Sequence, residues 1–299
     1  MTTRTARRYT TKTKVPRLLI VLGPTAVGKS DYAIAKALEY GSPVISCDSR
    51  QIYKEMTIGT AVPDASQLSA VKHYFIQTES VTRLYSAGDY ERDAIDLIER
   101  LFAEGHDTLV MAGGSMMYID AVCKGLDNMP EGNGEVRAEL WRRVSEEGLE
   151  SLVEQLRILD PVSCDSIELT NPQRVVRTLE GCLTSGRPFS SFKTGNVKHR
   201  NFVIEKTGLS RPREVLYDRI DNRVVSMMEA GLLSEARTLL PLRHLTALQT
   251  VGYRELFDYL DGRISLDEAV RLIQRNTRHY AKRQLTWWRR DADIRWIEI

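Results

Sequence analysis

Five apolar residues, Leu18-Leu-Ile-Val-Leu22, run straight into Gly23-Pro-Thr-Ala-Val-Gly28-Lys29-Ser30. This junction narrows the folds open to the chain more than any other feature. A continuous apolar run of that length reads as a parallel strand buried on both faces. The eight residues after it fit G-x-x-x-x-G-K-[ST], a phosphate-binding P-loop where it joins a strand to a helix. Ser30 to Tyr40 supplies the helix, with Ala33, Ile34, Ala37 and Leu38 on one face. Val44-Ile-Ser-Cys47 reads as the next strand and completes a βαβ unit. A further helix is expected over Tyr90 to Ala103, and a buried strand over Thr108 to Ala112, ending in Gly113-Gly114. Val203-Ile204 reads as a strand returning to the same sheet, with helix from there to the C-terminus. The expected fold is α/β: a P-loop NTPase-like doubly wound parallel sheet with a helical insertion subdomain.

The insertion is placed by breaks in composition. Turn-forming residues cluster at Gly125 to Gly134 and again over Thr184 to Asn201, and the stretch between them is charged and helical in pattern. The expected organisation is a basic disordered tail at 1–16, a core of 17–125 plus 196–299, and an insertion at 126–195. Net charge is +2, but six of the 42 Lys and Arg lie in the first 17 residues, with none of the 40 Asp and Glu. The body of the chain is therefore near neutral, and any claim of nucleic-acid binding rests on where the charges lie. Four scattered cysteines without a C-x-x-C pair argue against zinc or a disulfide framework. No apolar run approaches the ~20 residues of a membrane span. The chain reads as a cytoplasmic protein with no membrane association, and as a monomer.

In the loop, Gly23 and Gly28 let backbone N–H groups turn onto phosphate oxygens, and the helix N-terminus adds partial positive charge. Lys29 supplies a cation, and the Ser30 hydroxyl suits Mg²⁺. Pro24, Thr25, Ala26 and Val27 complete the cradle. The motif does not distinguish a nucleotide from another diphosphate. A nucleotide hydrolase usually adds an Asp at the end of a neighbouring strand. Here Leu109-Val-Met-Ala112 ends in Gly113-Gly114-Ser115 without an acid, which weakens that reading. Asp48 directly follows the second strand, at the carboxyl edge of the sheet where ligands sit. It reads as a metal ligand, a general base or a capping residue.

At this point the residues resemble a known family. Gly23–Ser30, Asp48-Ser-Arg-Gln-Ile-Tyr53, Ile58-Gly-Thr-Ala61, Ala112-Gly-Gly-Ser115 with Tyr118, Asn171-Pro-Gln-Arg-Val-Val-Arg177, Val251-Gly-Tyr-Arg254 and Thr277-Arg-His-Tyr-Ala-Lys-Arg-Gln-Leu-Thr-Trp287 are similar, in order and spacing, to the tRNA dimethylallyltransferases of bacterial type. The first motif is generic and the last highly specific. Three departures mark a divergent branch: Ser115 where the family commonly has Thr, Val62 where it has Lys, and His73-Tyr-Phe75 in place of His-His-Leu.

The resemblance implies transfer of a dimethylallyl group from dimethylallyl diphosphate to N6 of the adenosine at tRNA position 37. The cradle would then hold the donor's diphosphate through the amides of residues 25–30, Lys29 and Mg²⁺. By spacing alone Arg219 and Arg223 are solvated arginines one turn apart. The resemblance assigns Arg223 to the diphosphate. It makes Asp48 the acceptor of the amine proton and Ser115 its hydrogen-bonding neighbour. It places tRNA contacts at Asp48, Ser49, Arg50, Gln51, Ser115, Arg137, Gln173, Arg174, Arg177, Gly252, Tyr253, Arg254, Arg278, Lys282 and Arg283.

The last helix argues for RNA independently. After the capping-box start Ser265-Leu-Asp-Glu268, Arg271, Arg275, Arg278, Lys282 and Arg289 recur at steps of three, four or seven, and residues 271–290 hold seven Lys or Arg and no acid. Such a stripe suits the phosphates of a tRNA anticodon stem-loop. Trp287, Trp288 and Trp296 are expected in the core rather than stacked on bases. Three alternatives remain: the same chemistry on a free adenine nucleotide, a small-molecule kinase, and a non-catalytic RNA-binding module with a vestigial cradle.

Overall fold

A computed structural model describes residues 15–299, so most of the basic segment at 1–16 lies outside the described residues. Strand β1 (Arg17–Leu22) leads through the glycine loop into α1 (Lys29–Tyr40). Then follow β2 (Val44–Ser46), α2 (Ala65–Ala70), β3 (His73–Tyr74), α3 (Ala87–Ala103), β4 (Thr108–Ala112) and α4 (Met116–Lys124). The chain divides into two compact units, one being Lys124–His199. That unit holds α5 (Gly134–Glu146), α6 (Leu149–Leu159), α7 (Pro161–Ser166) and α8 (Pro172–Ser185) around its own core of Leu140, Leu152, Leu156, Val175 and Leu179. The first unit resumes with β5 (Val203–Ser210), α9 (Arg213–Glu229), α10 (Leu232–Leu239), α11 (Tyr253–Leu260), α12 (Leu266–Trp288) and β6 (Ile294–Glu298).

The six strands form one parallel sheet in the order β3-β2-β4-β1-β5-β6. Strand β1 divides its side chains by parity. Leu18, Ile20 and Leu22 enter one core with α3, α4 and the α10–α12 group, and Leu19 and Val21 enter another with α1 and α9. All five are nearly or fully buried, as a strand covered on both faces requires.

Three sequence expectations need correction. The chain is not helical from Ile204 onward: Val203-Ile204 extends to Ser210, and Ile294–Glu298 adds the sixth strand, paired with β5 from Lys206 to Ser210. Leu38 is 62% exposed rather than on the packed face, because α1 meets the sheet through the small residues Ala33 and Ala37. Ser265 accepts from the Glu268 N–H, but the Glu268 carboxylate bonds Arg271 instead of closing a capping box. The two-residue β3 is too short to leave a periodic signal.

Candidate active site

The loop after β1 is shaped by three left-handed residues, Gly23 (φ +148°), Ala26 (φ +63°) and Gly28 (φ +110°). At Gly23 no side chain fits, since a Cβ would lie 2.6 Å from the Leu209 carbonyl oxygen. Lys29 folds back on the loop, donating to the carbonyls of Gly23 at 2.9 Å and Pro24 at 2.8 Å. Burial, and then the Arg223 guanidinium, lower its pKa to about 8 against the opposing pull of Asp48. Helix α9 lays two arginines on the same loop. Arg219 Nε donates to the Ala26 carbonyl at 2.9 Å and Arg223 Nη1 to Thr25 Oγ1 at 3.3 Å. Arg219, a solvated residue by spacing, thus joins Arg223 in holding the loop. Burial holds Arg223 below the usual guanidinium range.

Two cavities open at this loop. One, of about 640 Å³, is lined by Thr25, Ala26, Gly28, Lys29, Ser30, Arg219 and Arg223, among others; Gly23, Pro24 and Val27 are buried and do not line it. The other, of about 360 Å³, carries Ser49, Arg50, Gly252, Arg254 and Arg283 along with an apolar wall of Ile220, Val224, Met227, Leu232 and Ile273. Thr25, Asp48, Arg223 and Tyr280 line both.

Asp48 stands at the carboxyl end of β2 and uses Oδ1 to accept from the N–H groups of Arg50 at 2.8 Å and Gln51 at 3.2 Å. Among the described residues Oδ2 accepts no hydrogen bond, which leaves it open to the cavities. Ser115 supports this loop from beneath. It is 7% exposed, and its hydroxyl accepts from the Ser49 N–H at 2.7 Å and donates to Ser49 Oγ at 3.0 Å. It does not line either cavity. Gln51 Nε2 donates to the carbonyls of Thr60 at 3.1 Å and Ala61 at 2.8 Å, and Arg50 reaches the Thr246 carbonyl at 3.3 Å.

Tyr253, which the resemblance places among the tRNA contacts, is turned inward. It is fully buried, and its hydroxyl donates to Glu235 Oε1. Glu235 also accepts from the N–H groups of Thr57, Ile58 and Gly59 at 2.8–3.0 Å, so α10 pins the loop that lines the smaller cavity. The Tyr253 ring covers Gly59, where a Cβ would sit 2.6 Å from it. The flanking Gly252 and the exposed Arg254 line the cavity.

Helix α12 presents two different faces. Arg271, Arg275, Lys282, Arg283 and Arg289 are exposed, but Arg278 is not free: it pairs with Asp221 and lies over the Tyr217 ring. The opposite face carries Tyr280 and Gln284, both absent from the sequence-derived site. Gln284 is buried, accepts from the Thr25 N–H at 2.9 Å and donates to the Gly114 carbonyl at 2.8 Å. The Thr25 amide, expected among the phosphate donors, is thus engaged by protein. Of the tryptophans only Trp288 is core; Trp287 and Trp296 are 37% and 36% exposed.

In the Lys124–His199 unit, Arg137 and Arg177 are drawn onto Glu180, which is completely buried. Arg137 makes a fork to it at 2.8–3.1 Å, and Arg177 adds a bond to the Pro130 carbonyl at 2.8 Å. Neutralising that carboxylate accounts for both positions within the unit. Gln173 and Arg174 are exposed at the start of α8.

Among the described residues no three His, Cys, Asp or Glu come together as a metal cluster. The donors in the larger cavity, the Ser30 hydroxyl with Asp31, Asp48 and Asp64 nearby, fit an ion that keeps most of its waters and binds chiefly through a ligand's phosphate oxygens. Among the described residues no helix is long and apolar enough to cross a membrane.

Comparison with known proteins accords with this geometry. The chain is 52% identical over 280 residues to tRNA dimethylallyltransferase 2 of Porphyromonas gingivalis, covering 94% of this chain and 93% of the relative. It is 47% identical over 283 residues to tRNA dimethylallyltransferase 1 of Bacteroides thetaiotaomicron, covering 95% and 92%. The solved tRNA isopentenylpyrophosphate transferase of Bacillus halodurans superimposes with a TM-score of 0.68 at 35% identity, over 94% of this chain and 89% of that one. A eukaryotic dimethylallyltransferase acting on tRNA shares the fold, with a TM-score of 0.75 at 23% identity over 95% and 74%. The IPP transferase family model matches residues 51–291, which hold the Gly114 turn, Arg219, Arg223 and the whole of α12. With the phosphate loop and Asp48 just ahead of that span, the chain belongs to the IPP transferase family.

Proposed function

We propose that the chain transfers a dimethylallyl group from dimethylallyl diphosphate to N6 of the adenosine at position 37 of tRNA, giving N6-isopentenyladenosine. The observation that carries this reading is the junction of the two cavities at Thr25, Asp48, Arg223 and Tyr280. The larger cavity suits a diphosphate, and the apolar wall of the smaller one suits a short isoprenyl chain. A carboxylate stands where they meet. In the reaction N6 bonds to C1 of the donor, the C1–O bond breaks, and diphosphate leaves with the electron pair. Asp48 Oδ2 takes the proton lost from N6. Lys29, Arg219 and Arg223 stabilise the charge growing on the departing diphosphate. Mg²⁺, held through Ser30, would neutralise part of the same charge. For the amine to reach Asp48, the adenine must leave its stack, which a loop base permits. With tRNA as substrate, the reaction belongs in the cytoplasm.

The test incubates the protein with dimethylallyl diphosphate, Mg²⁺ and an unmodified anticodon stem-loop, followed by nucleoside mass spectrometry, with AMP and Asp48→Ala in parallel. A prenyl mass gain on the stem-loop, lost in Asp48→Ala, is the expected result. Gain on AMP alone would move the activity to free nucleotides. ATP turnover without prenyl gain would point to a kinase.

A further inference from the structure

We propose that Gln284 is a positioning residue that sets the diphosphate loop against the loop carrying Asp48. This rests on the prenyl-transfer reading only for the identity of the substrates. Gln284 is 1% exposed, and both ends of its amide are used. Its oxygen holds the Thr25 N–H, and Thr25 lines both cavities while its hydroxyl takes Arg223. Its nitrogen holds the Gly114 carbonyl, which also accepts from the Tyr280 hydroxyl one helical turn earlier at 3.3 Å. The next residue, Ser115, fixes the Ser49 N–H beside Asp48. A single primary amide therefore joins the leaving-group side of the site to the base side. The join needs one acceptor and one donor on the same planar group, which Gln supplies and a carboxylate or an apolar side chain does not. It also needs glycine at 114, because a Cβ there would lie 2.5 Å from Gln284 Nε2.

Removing the amide has two opposed consequences. It frees the Thr25 N–H, which alone would add a phosphate donor. It also releases the loop and Gly114 from a fixed spacing, which raises the barrier to reaction. The second consequence dominates.

The experiment uses the full chain with Gln284→Met, which keeps volume, and Gly114→Ala, which pushes the same amide away from its other partner. Binding of inorganic pyrophosphate with Mg²⁺ is measured by calorimetry, and kcat and KM are measured for both substrates. Each variant is expected to weaken pyrophosphate about tenfold and lower kcat about thirtyfold, with KM for the stem-loop within about twofold. The double variant should lose little more than either single one, since both break the same link. Pyrophosphate bound as tightly by Gln284→Met as by wild type, with kcat unchanged, would overturn the proposal. So would fully additive losses in the double variant. If the wild-type protein binds pyrophosphate but makes no prenyl adenosine, the activity reading falls, and the pyrophosphate comparison still decides the role of Gln284.

Discussion

The Tyr253 hydroxyl donates to Glu235 Oε1 at 2.7 Å, and the same oxygen takes the Gly59 N–H at 2.9 Å. A tyrosine in a motif shared with an RNA-modifying family is thus spent on holding a loop. Tyr253→Phe should cost about 1 kcal/mol of stability in urea unfolding and leave prenyl transfer within about threefold. Arg254→Ala, at the exposed neighbour, should do the reverse, weakening stem-loop binding with little change in stability. A large loss of RNA affinity in Tyr253→Phe would contradict this division.

Lys29 predicts a pH limit on diphosphate binding. Its ammonium is the form that attracts an anion, and burial with Arg223 brings its pKa down to about 8. The charge is complete well below pH 8 and is lost as pH rises through that value. Pyrophosphate affinity measured from pH 6.5 to 9.5 and corrected for the ligand's own ionisation should be flat at the acid end and fall toward about tenfold per unit above pH 8. Bound anion should raise the lysine's pKa, so binding near pH 8 should take up protons from buffer, a sign that calorimetry in two buffers reads directly.

Arg219 and Arg223 on α9 should separate by atom. Arg223 touches the Thr25 side chain at the junction of the cavities, whereas Arg219 touches a loop carbonyl and is exposed. Arg223→Lys keeps charge but loses the planar fork, and kcat should fall on the order of 100-fold. Arg219→Lys should cost less than about tenfold, seen mainly in KM for the diphosphate donor.

On α12, Lys282→Ala and Arg283→Ala should each weaken stem-loop binding and lower the slope of affinity against salt, by about one counterion for each RNA phosphate that is no longer neutralised. Arg278→Ala should destabilise the protein instead, because it leaves Asp221 unpaired and removes one of the two guanidinium groups over the Tyr217 ring. Urea midpoints and salt titrations on the three variants distinguish the two classes.

Much of this site is legible in the chain itself. The strand, loop and helix around Lys29 follow from an apolar run, two glycines and an amphipathic face, all local signals. Asp48 follows from its place just past a strand. What escapes reading depends on distant pairs. Gln284 lies 259 residues from Thr25, and nothing around it says which way it turns. Glu235 looks like any surface glutamate until its four donors are in view. The arginines differ among themselves: Arg137 and Arg278 pair with acids 43 and 57 residues away, which spacing does not reveal, whereas Arg177 and Glu180 stand three residues apart on α8 and could be paired from the sequence. Ile294–Glu298 has the alternation of a strand in Ile294, Trp296 and Glu298 only in part, and pairing with β5 decides its state.

Strand β1 poses a separate problem for the folding chain. Its apolar residues are interchangeable between the two cores, so hydrophobicity alone does not tell the strand which face is which. A slip by one residue would keep four of the five apolar side chains in the two cores while carrying the phosphate loop about 3.3 Å out of place. Alignment has to come from the ends. At one end Arg17 is hooked to Thr108 and Glu205 on the two neighbouring strands. At the other, Gly23 is the residue with no Cβ to strike Leu209, and a slipped leucine could not take its place. The glycine that opens the loop therefore also serves as a stop, so that the sheet finishes zipping only when the loop is at its proper address.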